Sequence, residues 1–163
     1  MIARIAAALT ALATSALAAD SATFTVRTLT PEAALKAAQA ALAKCRAEGF
    51  QVTVAVVDRS GITQALVRDR YAAPHTVDTA QRKAQTAINF KMNTAALDRE
   101  LQPGKASAGI RNLPGVAPIA GGRVIEGQGA LVGAIGVSGA PGPANDDVCA
   151  AAGIGAIAED LEF

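Results

Sequence analysis

The chain has 163 residues, with 15 Lys and Arg against 14 Asp and Glu, a formal net charge of +1. It is 51% hydrophobic and 18% charged, which excludes a disordered chain and fits one domain of ordinary size. The balanced charge excludes the basic footprint of a nucleic-acid binder, and an aromatic content of 3% without Trp excludes base-stacking platforms.

Residues 1–19 read MIARIAAALTALATSALAA. Arg4 supplies a positive start, Ile5 to Leu17 is an uncharged apolar run, and Ala16-Leu17-Ala18 fits a small-x-small cleavage pattern. The run falls short of the about 20 residues a membrane span needs. The expectation is a signal peptide over 1–18, cleaved near Ala18, and one domain over 19–163 in the periplasm or outside the cell. No second apolar run has spanning length, so no membrane span is expected in the mature chain. Export changes the reading of Cys45 and Cys149, the only two cysteines. An oxidising compartment favours their pairing, and two buried free thiols are the alternative. A bridge would close a loop of about 100 residues, for which chain entropy gives at most about 4–5 kcal/mol.

A polar lead follows, in which Phe24 and Val26 predict a short edge strand. Thr30-Pro31-Glu32 opens a helix, with Thr30 as cap, Pro31 in the first position and Glu32 facing the positive helix end. Leu35, Ala38, Leu42 and Cys45 form its apolar stripe. Gln51 to Val57 predicts a strand with Val52, Val54 and Val56 on one side. After the turn Asp58-Arg59-Ser60-Gly61, Ile62 to Arg68 returns as the second arm of a hairpin. A charged loop leads to a helix capped by Thr76, whose apolar face is Val77, Ala80, Ala84, Ala87 and Ile88. A short helix is predicted from Thr94, as cap, to Leu101. Strands are predicted over Val116–Ile119, Arg123–Glu126 and Ala130–Val137. Asn145-Asp146-Asp147 starts a final helix over Val148–Leu161. Short turns between strands argue for an antiparallel sheet flanked by helices, an α+β sandwich.

Few residues carry chemistry. One His and no CxxC pattern exclude a His-rich or Cys-rich zinc site. Gly136-Val137-Ser138-Gly139-Ala140 nearly matches a nucleophile elbow, but Ala140 replaces the last glycine and the next helix starts too late. Gly127, Gly129 and Gly133 are spaced GxGxxxG between two strands, which reads as turn chemistry rather than a dinucleotide fingerprint. Pro103-Gly104-Lys105-Ala106-Ser107 lacks the phosphate-loop spacing. The segment RDRYAAPHTVDTAQRKAQT (68–86) is different. It gathers Arg68, Arg70, Tyr71 and His75 on one loop and Arg82 on the following helix. An imidazole there can ligate a metal or a haem iron, and the arginines can meet carboxylates such as propionates. The plain alternative is a lone histidine at a helix start among surface arginines.

Five ordered stretches carry a family resemblance: VAVVDRSG (54–61), RDRYAAPHTVDTAQRKAQTA (68–87), NLPGVAPIAGG (112–122), GALVGAIGVSGA (129–140) and DDVCAAAG (146–153). With them the chain resembles the GlcG/HbpS family of small haem-binding domains. The resemblance implies an antiparallel five-stranded sheet with helices packed on it, a profilin-like sandwich, and assembly into dimers to octamers. It implies haem or haem-degradation chemistry for exported members, while other members sit beside glycolate or diol metabolism. On this reading His75 ligates iron, Tyr71 and Thr86 lie close to the porphyrin, and Arg68, Arg70 and Arg82 meet its propionates. Two other readings are an accessory protein or enzyme holding a small organic acid with the same arginines, and a non-catalytic partner of an envelope sensor.

Overall fold

A computed structural model describes residues 22–162. The expected signal peptide over 1–18 lies outside the described residues. Helix α1 (Pro31–Ala47) begins as the sequence predicts: the Thr30 hydroxyl accepts from the Ala33 amide at 3.2 Å, and Pro31 takes the first position. Its buried face is Ala34, Ala37, Ala38, Ala41, Leu42 and Cys45, whereas Leu35 is 44% exposed. The stripe is rotated because α1 lies almost backbone to backbone against the last helix. A Cβ on Gly153 of that helix would stand 2.7 Å from the Ala37 carbonyl oxygen, so only small side chains fit the seam.

Strands β1 (Thr53–Asp58) and β2 (Thr63–Arg68) form the expected hairpin, and β3 (Gly122–Gly127) and β4 (Ala130–Ser138) form a second. All pairings are antiparallel and the sheet order is β2-β1-β4-β3, so β1 and β4 are central. Val52, Val54 and Val56 point together, as predicted, into the core shared with α1 and the last helix, α4 (Pro143–Gly155). Helix α2 (His75–Phe90) covers the other face, over Ala84, Ala87, Ile88, Val57 and Ala134. The close fit depends on Gly136: a Cβ there would stand 2.1 Å from the Ala80 carbonyl oxygen and 2.6 Å from the Ala84 nitrogen.

Among the described residues the sheet has four strands, not five. Val116–Ile119 is irregular, because Pro118 has no amide to give a ladder and the Ala117 amide donates instead to the Thr86 hydroxyl at 2.9 Å. Among the described residues the lead also forms no strand: Phe24 is 88% exposed, and the Leu29 amide donates to the Val132 carbonyl at 3.0 Å.

Two expected caps play other parts. Thr76 lies inside the first turn of α2, buried, with its hydroxyl donating to the Ala73 carbonyl at 2.6 Å and 2.7 Å from the Thr53 hydroxyl. Pro74 holds the cap position. Asn93 holds that of α3 (Thr94–Glu100), while the buried Thr94 hydroxyl bonds the Gly122 amide at 2.9 Å and carbonyl at 3.2 Å, clasping the start of β3. The last helix starts at Pro143, before the acidic residues, and ends at Gly155; a separate 3-10 turn covers Glu159–Leu161. Cys45 and Cys149 form a buried disulfide joining α1 to α4, with a Cα separation of 5.6 Å.

Candidate functional site

The loop between β2 and α2 is fixed by one buried carboxylate. Asp69 takes a bidentate ion pair from Arg46, 2.7 Å from Nε and 3.0 Å from Nη2, and its own amide donates to the Val52 carbonyl at 2.9 Å. The hydrogen bonds from Arg46 hold the Asp69 carboxyl below the usual carboxylate range, against the opposing effect of desolvation. Arg68 points its guanidinium forward along the loop, Nε donating to the Ala72 carbonyl at 2.9 Å. These bonds deliver the chain to α2 in one conformation and set His75 as its first residue.

His75 is exposed, and among the described residues no hydrogen bond engages its imidazole. It stands at the mouth of an open cavity of about 320 Å³. His75, Thr79 and Lys83 line one side of it, at successive four-residue steps along α2; Ser138 and the start of α4 line the other. The floor is an ion pair between buried side chains. Lys83 Nζ donates to Asp146 Oδ2 at 2.8 Å and to the Val137 carbonyl at 2.9 Å, and Asp146 Oδ1 accepts from the Ala140 amide at 2.9 Å. Gly121, at φ 112°, closes over the pair, where a Cβ would come 2.7 Å from the Asp146 Cβ and 3.0 Å from Lys83 Nζ. Burial pushes the Asp146 carboxyl above the usual range even though Lys83 works against it.

A second cavity of about 430 Å³ abuts the first through Thr79 and Ile119. Arg82 lines it, paired with Asp78 at 2.8 Å, and across it Arg111 pairs with Asp98 at 3.0 Å. The fold therefore brings His75 and Arg82 to adjoining hollows on α2. Thr86 is buried one turn beyond Arg82, its hydroxyl engaged by Ala117. Arg68 at the end of β2 and Arg70 and Tyr71 on the loop lie outside both hollows; Tyr71 is 80% exposed and Arg70 is exposed.

Lys83, Ser138 and Asp146 were not among the residues that the sequence marks as a site. One signal was present. Thr76, Ala80, Lys83 and Ala87 fall on the core face of α2, and a lysine at such spacing requires a buried counter-charge. Ser138 and His75 line the same cavity, but no hydrogen bond joins them and the Asp146 carboxylate is engaged by Lys83, so the triad geometry of a hydrolase is not formed. Among the described residues, no group of three or more His, Cys, Asp and Glu is placed to hold a metal ion. What the site offers is one open imidazole above a pocket of hydrogen-bond donors.

The same arrangement of strands and helices occurs in known proteins. Residues 29–155 match the family model described as haem degrading protein HbpS-like. A double mutant of HbpS from Streptomyces reticuli is 39% identical, with a TM-score of 0.77 over 88% of this chain and 97% of that one. The PduOC:haem complex is 28% identical, with a TM-score of 0.76 over 80% of this chain and 95% of that one. An uncharacterized 15.0 kDa protein from the dhaT-dhaS intergenic region of Citrobacter freundii is 33% identical over 116 residues, 70% of this chain and 82% of the relative. The match of the family model across both hairpins, α2 and all of α4 means that the chain belongs to the HbpS-like family.

Proposed function

We propose that this is an exported haem-binding protein in which His75 gives its imidazole to the iron. The observation that carries this reading is the exposed imidazole, engaged by no hydrogen bond among the described residues, at the mouth of an open cavity. An imidazole in such a place is a competent iron ligand. The family description and the relative seen in complex with haem support the reading. The residues present fit the group. His75 is the ligand, Arg82 lining the adjoining hollow offers its guanidinium to a propionate, and Ile119, shared by both hollows, offers an apolar contact. Bound iron porphyrin would supply ligand binding or slow peroxide chemistry.

Two further features belong to the proposal. The cavity is at the small end of the roughly 300–1,000 Å³ usual for small-molecule sites, so one subunit leaves much of a porphyrin uncovered. A second copy of the chain completes the cover, as a homo-oligomer between a dimer and an octamer. The buried Cys45–Cys149 disulfide supports residence in an oxidising compartment after signal cleavage near Ala18. Among the described residues, no helix is long and apolar enough to cross a membrane.

Titration with haemin tests the proposal. A saturable Soret shift is expected for the native chain and a much weaker one for His75→Ala. A Soret shift that survives intact in His75→Ala removes that residue from the ligand role, and a chain that takes up no haemin overturns the reading.

A further inference from the structure

The floor of the His75 cavity holds donors that iron ligation does not use. Lys83 carries three N–H groups; two are bonded to Asp146 and to the Val137 carbonyl, which leaves one. Ser138 is 6% exposed, and among the described residues its hydroxyl has no hydrogen-bond partner. It sits on the face of β4 that looks at α2, as do Ala134 and Gly136, and it lines the same cavity as Lys83. The N-terminus of α4, a 13-residue helix, opens beside them at Gly142 and Pro143 and turns its positive end to the hollow. Only a small part of the residue meets the cavity, and the hydroxyl is free to exchange water there for an acceptor on a ligand.

We propose that this floor is a carboxylate-binding site, in which one carboxylate group accepts from the Lys83 ammonium and the Ser138 hydroxyl. The group fits the donors: its two oxygens are acceptors only, and a charge-assisted bond to an ammonium is stronger than a neutral one. Asp146 competes for the same ammonium, so the site is a weak one that holds a carboxylate without a permanent excess of positive charge. The assignment rests on the cavity itself. It needs the haem reading only to say whether the carboxylate is a porphyrin propionate or belongs to a small free acid.

The test uses the full chain and acetate as probe, followed by amide NMR. Saturable shifts centred on Ser138, Gly139 and Ala140 are expected. Ser138→Ala, which removes one hydroxyl without adding bulk, should weaken binding roughly three- to tenfold. Asp146→Asn keeps an oxygen for Lys83 but removes the competing charge, and should tighten it. Shifts that are absent or spread over the whole surface overturn the proposal, as does a natively folded Asp146→Asn variant that binds acetate more weakly. Haemin and its dimethyl ester then distinguish the sources. A propionate in the site makes the ester bind more weakly than haemin in the native chain but not in Ser138→Ala. A free acid in the site leaves the two porphyrins equal and lets acetate shifts persist in the haem-loaded protein. Acetate shifts are read on the native chain without haemin and iron ligation on His75→Ala with haemin, so failure of the iron-ligand assignment and failure of this site read out separately.

Discussion

Lys83 and Asp146 meet at 2.8 Å, both side chains nearly inaccessible to water, and this contact ties the helix on one face of the sheet to the helix on the other. Removing one partner strands a buried charge. Lys83→Met is expected to cost about 3–5 kcal/mol, the range for breaking a buried pair, while Lys83→Met combined with Asp146→Leu should cost clearly less. Urea denaturation of the single and double variants measures the difference; equal losses would mean that the charges contribute nothing as a pair.

Gly136 sets the distance between α2 and the sheet. Gly136→Ala places a methyl group where the Ala80 carbonyl already stands, so α2 must shift. The expected loss is at least about 1–3 kcal/mol, the usual range for overpacking. His75 begins α2, so the same variant should also weaken haemin binding without touching the ligand. A variant with native stability and native haemin affinity would show that the seam is looser than drawn.

The Cys45–Cys149 bridge spans a sequence separation of 104 between two helices of one layer. Replacing both cysteines with alanine is expected to lower stability by about 2–5 kcal/mol. Thermal melts of the native chain with and without a thiol reductant should show the same direction, and the double variant should not respond to reductant at all.

Two aspartates oppose each other in the pH dependence of stability. The Arg46 hydrogen bonds hold Asp69 below the usual carboxylate range, so the folded chain releases that proton more readily than the unfolded one. Its stabilisation is complete above the ordinary Asp value of about 3.9 and is lost as pH falls through the lower folded value. Burial raises Asp146, so its contribution runs the other way: fully present below the ordinary value and lost as pH rises through the raised folded one. Denaturation midpoints taken from neutral pH into acid should fall less steeply in Asp69→Asn at the acid end. In Asp146→Asn they should lose the opposing component above the ordinary carboxylate range. Identical profiles for both variants and the native chain would show that neither group is linked to folding.

The hairpin of β1 and β2 and the cap on α1 were legible in the residues because their signals are local. Alternating valines on β1 and a Thr-Pro pair before an alanine-rich run each act within a few residues. The loop from Arg68 to His75 was legible as unusual, since it concentrates charge beside the only histidine. Thr76 and Thr94 were misread as caps because a threonine before a helical run has the same local pattern whether its hydroxyl caps the helix or, as here, bonds Thr53 or Gly122 across the fold. Val116–Ile119 has a strand's apolar composition. Pro118 and the capture of the Ala117 amide by Thr86 keep it out of the sheet.

The sequence by itself determined the family, the antiparallel pairing of the strands and the presence of a helix after the charged loop, because repeated local chemistry specifies each of them. Only the tertiary structure decided which polar residues share a cavity. Lys83, Ser138 and Asp146 come from α2, β4 and α4, and nothing in their spacing along the chain relates them. Their meeting follows from sheet order and from how closely α2 can approach the sheet at Gly136, and both depend on packing between distant segments.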